Sequence, residues 1–175
     1  ENAPQDPDAI SSTGAKGLMQ IKDIAVQDVF NNDASMRTKY RAQSVSEGGD
    51  FELGNYDYSS VEHNLDIGTR FFKLTWDRFS DIADPDERLK FTIATYNAGY
   101  GNIRSAQSKV ESANAFQKDI LDEVLKEISN EVIKTEVIAY VPGVLANYDE
   151  VRKVIREYSG HNDPIWGPDD FWTEF

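Results

Sequence analysis

The sequence has 175 residues, which is enough for a domain with a hydrophobic core, and 39% of them are hydrophobic. Its 31 acidic and 18 basic side chains give a net charge of −13, so no nucleic-acid partner is expected. The sequence contains no cysteine and no apolar run near the roughly 20 residues of a membrane-spanning helix, which excludes disulfides and argues against a transmembrane segment.

The first part of the chain is predicted to be a loop followed by a helix. Residues 3–13 contain two prolines and several Asp, Ser and Thr residues, a composition typical of loops. From Leu18 to Val29 apolar residues recur at helical spacing, and an Asn-Asn-Asp run ends this pattern at Asp33. Residues 43–59 are rich in Ser, Gly, Asp and Tyr without a helical period, which indicates either a long surface loop or a small β-ribbon.

The rest of the chain is predicted to be helical, which gives an all-α fold class. Asp84 and Pro85 are a typical cap and first turn, and Gly99 is a typical helix end. Pro142 is expected to kink or divide the helix that contains it. The predicted helical ranges are residues 61–79, 84–99, 103–110, 116–128, 132–144 and 151–158. We expect one domain over residues 1–158, followed by an aromatic, acidic tail over residues 159–175.

The inventory of reactive side chains leaves carboxylate chemistry as the main possibility. The two histidines, His63 and His161, are far apart and lack ligand spacing, so neither a metal site nor a cofactor is predicted. An acid that works near neutral pH must be kept protonated by an apolar pocket. The segment G-A-K-G-L-M-Q over residues 14–20 offers a close backbone approach and an apolar surface, although composition alone favours a plain helix start.

Four motifs of the sequence resemble those of the soluble lytic transglycosylase (SLT) domain. Glu1, followed by S-S-T-G-A-K-G-L-M-Q over residues 11–20, is similar to the first. The others are N-L-D-I-G-T-R-F over residues 64–71, A-T-Y-N-A-G-Y-G-N over residues 94–102, and E-V-I-A-Y-V-P-G-V-L-A-N-Y over residues 136–148. All four occur in the order of the family, which is a far more specific signal than one motif alone.

The resemblance implies a lysozyme-like helical fold and cleavage of the β-1,4 bond between N-acetylmuramic acid and N-acetylglucosamine in peptidoglycan. It implies that Glu1 is the general acid and then the base, and that the product is a 1,6-anhydro sugar. Tyr96 matches the tyrosine that positions the acid. The residues that match the glycan-binding groups of the family are Ser11, Met19, Gln20, Asn97, Glu136 and Tyr140.

The same residues also have structural explanations, which the sequence leaves open. Tyr96 and Tyr140 are equally plausible as packing residues, and Glu136 as one half of a salt bridge on a helix. The alternatives to a lytic transglycosylase are a lysozyme-like hydrolase and a non-catalytic module that binds peptidoglycan or serves in phage ejection. In the family a helix precedes the glutamate, so we expect a longer chain or a larger assembly, in the bacterial envelope or in a phage virion.

Overall fold

The computed structural model describes residues 6–42, 52–110 and 120–159, with backbone only for residue 152 and residues 154–159. These ranges contain seven α-helices and no β-strand, so the predicted all-α class is confirmed. The helices are α1 (Asp23–Asn32), α2 (Ala34–Tyr40), α3 (Val61–Arg78), α4 (Pro85–Ala98), α5 (Tyr100–Gln107), α6 (Leu121–Lys126) and α7 (Glu131–Ser159). None of the described helices is long and apolar enough to cross a membrane.

The chain forms two compact units, residues 1–74 and residues 75–175, and the boundary falls within α3. In the first unit, α1 and α2 pack together around an aromatic and aliphatic core. Asp33 separates these two helices, and its carboxylate accepts hydrogen bonds from the backbone N–H groups of Ser35 and Met36 at the start of α2. The buried core residues are Ile21, Ala25, Val26, Val29, Phe30, Met36, Tyr40, Tyr56 and Ile67.

In the second unit, α4 packs against α5, α6 and α7. As predicted, Asp84 caps α4: its carboxylate accepts a hydrogen bond from the Glu87 N–H at 2.9 Å. Glu87 itself is fully buried, and its Oε1 accepts hydrogen bonds from the N–H groups of Ile120 and Leu121 at 2.9 and 2.8 Å. This carboxylate therefore fixes the start of α6 to the side of α4.

Three local features differ from the sequence prediction. The first helix begins at Asp23 rather than Leu18, because Gly17 and Gln20 have positive φ angles of 72° and 50° and fold the preceding residues into a turn. Helix α2 was not predicted, since seven residues are too few to show a clear period. Pro142 lies inside α7 without dividing it, so the expected division does not occur, while the alternative of a kink stays a prediction. The segment predicted at residues 151–158 continues the same helix.

Several predicted features lie wholly or partly outside the described residues. Of the helix predicted at residues 116–128, the structure describes only residues 120–128, where α6 covers Leu121–Lys126. The loop or ribbon at residues 43–59 is described only from residue 52 onward, where it has no regular secondary structure. Of the tail at residues 159–175, only Ser159 is described, as the last residue of α7. The domain boundary at residue 158 stays a prediction.

Candidate functional site

Seven of the eight predicted site residues are described, and Glu1 lies outside the described residues. The seven fall into two groups, one in each compact unit. Ser11, Met19 and Gln20 belong to the first unit. Tyr96, Asn97, Glu136 and Tyr140 belong to the second.

The first group lies on a loop of two tight turns, residues 9–21, which we call the 9–21 loop. Isolated antiparallel bridges join Lys16 to Ile10 on one side and to Ile21 on the other. The Ser11 Oγ accepts a hydrogen bond from the Ala15 N–H at 2.9 Å, which closes the first turn. The Gln20 Nε2 donates to the Gly17 carbonyl at 2.8 Å, which closes the second. Two predicted binding residues, Ser11 and Gln20, therefore also hold the loop in shape.

Asn64 fixes the 9–21 loop to the first turn of α3, a role that sequence reasoning missed. Its side chain is fully buried. The Met19 N–H donates to Asn64 Oδ1 at 2.6 Å, while Asn64 Nδ2 donates to the carbonyls of Lys16 and Tyr58 at 3.1 and 3.2 Å. One amide thus meets three backbone groups from two loops. The only signal in the sequence was its place in the second family-like motif.

Two glycines make this close approach possible. A Cβ atom on Gly17 would lie 2.3 Å from the Asn64 amide nitrogen and 2.4 Å from the Tyr58 carbonyl oxygen. A Cβ atom on Gly68 would lie 2.9 Å from the Met19 side chain. Any larger residue at either position would push the 9–21 loop away from α3. Met19 itself is partly buried against the core, with the rest of its surface facing solvent.

The second group lies where α4 ends and on the first half of α7. Tyr96 and Asn97 occupy the last turn of α4, which Gly99 terminates with a φ angle of 84°. The Asn97 Nδ2 donates to Glu136 Oε1 at 3.2 Å, so two residues that are 39 positions apart are brought together. Tyr96 is partly buried in the same turn.

Glu136 and Tyr140 lie one turn apart on α7, with both side chains reaching solvent. Partial burial raises the pKa of Tyr140, and the negative charge of Glu136 raises it further, so the phenol stays neutral at ordinary pH. The arrangement therefore combines an amide, a carboxylate and a neutral phenol. Such groups donate hydrogen bonds to hydroxyl and acetamido groups and accept hydrogen bonds from them. Among the described residues no cluster of three or more potential metal ligands occurs.

Comparison with known proteins gives one family and a consistent set of relatives. Residues 5–120 match the family model described as "Transglycosylase SLT domain". The "Membrane-bound lytic murein transglycosylase F" of Desulfosudis oleivorans is 29% identical over 162 residues, which are 85% of this chain and 30% of that protein. The protein of the same name from Salmonella choleraesuis is 32% identical over 103 residues, 59% of this chain and 15% of that protein. The chain thus spans less than a third of the length of these relatives, and no solved structure matches it significantly.

Proposed function

The chain belongs to the transglycosylase SLT domain family, and from that premise we propose that it carries the catalytic function of a peptidoglycan lytic transglycosylase. One observation carries the proposal: the 9–21 loop, which contains the G-L-M-Q segment, is fixed through Asn64 to the helix that carries the second family-like motif. Two motifs that are 45 residues apart thereby form one rigid element. A loop of this kind can present Met19 and Gln20 to a sugar without losing its shape on binding.

The proposed reaction uses one carboxyl group. Glu1 donates its proton to the glycosidic oxygen as the bond from that oxygen to C1 of the muramoyl residue breaks. The muramoyl 6-hydroxyl then attacks C1 and returns a proton to the Glu1 carboxylate, which gives the 1,6-anhydro product without consuming water. A single carboxylate suffices because the internal hydroxyl takes the place of the water that glycosidases activate with a second carboxylate.

The other residues bind and orient the glycan in this proposal. Tyr96 positions the carboxyl group of Glu1. Asn97 and Glu136, already joined by a hydrogen bond, offer a donor and an acceptor to sugar substituents. Tyr140 acts as a neutral phenol, since its raised pKa keeps it protonated through the physiological range. Met19 contributes a compliant apolar surface.

We also propose that the enzyme acts in the bacterial cell envelope. The relatives named above are described as membrane-bound murein transglycosylases, and peptidoglycan lies in the envelope. Action from a phage particle is the alternative location, and the substrate would be the same.

The test is the chemistry of the products released from purified sacculi by the full-length protein. We expect 1,6-anhydromuramoyl ends, and we expect Glu1→Gln to lower the rate by about 10²–10⁴-fold, the usual contribution of a general acid. The control is Glu123→Gln, which removes an exposed carboxylate on α6. Products that have gained one water would identify a lysozyme-like hydrolase instead. Binding of sacculi without any digestion would identify a non-catalytic binding module.

A further inference from the structure

The first unit contains a pocket of about 300 Å³ that none of the predicted site residues lines. It lies between residues 7–10 and 16–17 on one side and residues 56–59 on the other. Its volume is at the lower end of the range for small-molecule sites, large enough for one amino-acid side chain with its neighbouring atoms. The residues that decide its chemistry are Asp8, Lys16, Tyr56, Asp57 and Tyr58.

The pocket carries two carboxylates whose charge is not balanced. Asp8 and Asp57 are both exposed, and among the described residues no basic side chain pairs with either. The Asp57 carboxylate accepts a hydrogen bond from the Ser59 N–H at 3.0 Å. These two groups therefore give the pocket a negative potential that attracts a cation.

The single lysine of the pocket does not cancel this charge, because it is already paired. Lys16 Nζ lies 2.8 Å from Asp23 Oδ1. Hydrogen bonds from Lys16 and then from Tyr58 hold the pKa of Asp23 below its usual value, so this carboxylate stays ionised. The Lys16–Asp23 pair is neutral as a whole, which leaves the net charge of the pocket to Asp8 and Asp57.

Two tyrosine side chains form an aromatic part of the pocket lining beside these carboxylates. The rings of Tyr56 and Tyr58 meet edge to face, with centroids 4.9 Å apart. Lys16 Nζ lies 4.3 Å from the centroid of Tyr58, a cation–π distance, so one face of this ring already holds an ammonium group. At the rim of the pocket, Ile10 is 72% exposed and offers an apolar contact to an aliphatic chain. Carboxylates, aromatic rings and an apolar rim together suit an alkylammonium group.

The pocket shares a wall with the loop that the proposed function places against the glycan. Lys16 and Gly17 line the pocket, and Met19 and Gln20 follow directly in the same loop. A ligand in the pocket would therefore lie next to a bound glycan strand. We propose that this pocket binds the free side-chain ammonium group of a peptide stem carried by that strand, an inference that rests on the proposed function.

A direct binding measurement tests the pocket without requiring catalysis. The probe is a synthetic stem peptide that ends in lysine, compared by calorimetry with the same peptide acetylated on Nε, both added to the full-length protein. We expect the free amine to bind about tenfold more tightly than the acetylated form, as for an ammonium group paired with two partly solvated carboxylates. Raising the salt concentration should narrow this difference.

The matched variants are two double substitutions that change the net charge equally. Asp8→Asn with Asp57→Asn should abolish the preference for the free amine, whereas Asp86→Asn with Glu127→Gln, both exposed in the second unit, should preserve it. Equal binding of the two peptides, or equal loss in both double variants, would overturn the proposal. If the pocket bound Mg²⁺ from MgCl₂ and did not bind the free-amine peptide, the proposal would also be overturned, and the pocket would be a metal site.

Digestion of sacculi separates this proposal from the proposed function. Acetylating the amines of the sacculi should raise KM about tenfold and leave kcat nearly unchanged, since the contact is made equally before and in the transition state. If no digestion occurs, the proposed function is contradicted, and calorimetry still tests whether the pocket binds the ammonium group. If digestion occurs and its KM does not depend on amine acetylation, the proposed binding of the ammonium group in the pocket is contradicted. The proposed function is then unaffected.

Discussion

Asn64 joins two loops and a helix through one side chain, so its truncation should affect the whole first unit. In Asn64→Ala, the Met19 N–H loses its acceptor and the carbonyls of Lys16 and Tyr58 lose a donor, all at a buried site. We expect the free energy of unfolding to fall by about 2–4 kcal/mol, because unsatisfied buried polar groups each cost about 1–3 kcal/mol. Urea denaturation of the chain measures this loss.

The matched control for this substitution is Asn55→Ala in the same unit. Asn55 is exposed, and its side chain makes no hydrogen bond among the described residues. Its replacement should change the free energy of unfolding by less than about 0.5 kcal/mol. Similar losses in the two variants would mean that Asn64 does not hold the loop in the way the hydrogen bonds indicate.

The pKa of Tyr140 depends on the charge of Glu136, which lies one turn away on α7. Burial is the first cause of its raised pKa and Glu136 the second, so Glu136→Gln should lower the pKa of Tyr140 without returning it to its ordinary value. The direction follows because a phenolate next to a carboxylate is disfavoured, and a neutral amide removes that repulsion. Titration of ¹³C-labelled tyrosine by NMR measures the change. Glu150→Gln, which removes an exposed carboxylate further along α7, should leave the pKa of Tyr140 unchanged. An equal shift in both variants would contradict a local effect of Glu136 on Tyr140.

At the scale of single residues, the sequence identified the motif members but not their contacts. The resemblance pointed to Ser11, Gln20 and Asn97, and the structure shows what each bonds to. The pairing of Asn97 with Glu136 and the bonds from Asn64 to Met19 and Lys16 join residues that are 39 to 48 positions apart. Contacts over such distances depend on how the helices pack, which no local pattern reveals. The roles of these residues in glycan binding stay predictions.

Among the helices, α6 depends most on a residue outside itself. It has only six residues, and its first N–H groups are satisfied by the buried carboxylate of Glu87, which also lies 3.1 Å from Lys90 Nζ. In Glu87→Ala the N–H groups of Ile120 and Leu121 lose this acceptor, and Lys90 loses this ion pair. We expect the free energy of unfolding to fall by about 3–5 kcal/mol, because two N–H groups at a buried site lose a charged acceptor and each unsatisfied group costs about 1–3 kcal/mol.

This second stability prediction has its own control. Glu127→Ala removes an exposed carboxylate at the other end of α6, and the free energy of unfolding should change by less than about 0.5 kcal/mol. Chemical denaturation followed by circular dichroism compares the two variants. If Glu87→Ala were as mild as Glu127→Ala, the start of α6 would have to be held by other contacts.

Helices with strong local signals were predicted well, and those without them were not. Helix α4 was found from its Asp-Pro start and Gly end, and α3 from a long apolar stripe. The start of α1 was misplaced because the apolar spacing continued through Leu18, while the left-handed conformation at Gln20 breaks the helix there. Pro142 left α7 undivided, so this 29-residue helix continues despite the hydrogen bond that proline cannot donate.

For the molecule as a whole, the helical patterns predicted the all-α class, but neither the patterns nor the composition indicated the division into two compact units. The division falls inside α3, a continuous helix with no glycine-rich or proline-rich linker to mark it. Composition shifts reveal boundaries between elements, whereas this boundary depends on which neighbours each half of one helix packs against. The sequence could not supply that information.

The net charge of −13 leads to a prediction about salt. With 31 acidic and 18 basic side chains, thirteen negative charges have no possible partner, and their mutual repulsion opposes the compact state. Raising NaCl from about 0.01 to 0.15 M shortens the screening length from about 30 to 8 Å. We expect this to raise the free energy of unfolding at pH 7 by about 1 kcal/mol, an increase of ~2–4 °C in Tm. Differential scanning calorimetry measures the shift.

The control for the salt effect is the same experiment near the isoelectric point of about 4.5. There the net repulsion vanishes, and added salt can only screen attractive surface pairs such as Lys16–Asp23. The increase in Tm should therefore disappear at that pH or change sign. An equal increase in Tm at both pH values would mean that salt acts through exclusion from the protein surface rather than through charge. A decrease in Tm at pH 7 would mean that the ion pairs of the fold outweigh the repulsion among its excess negative charges.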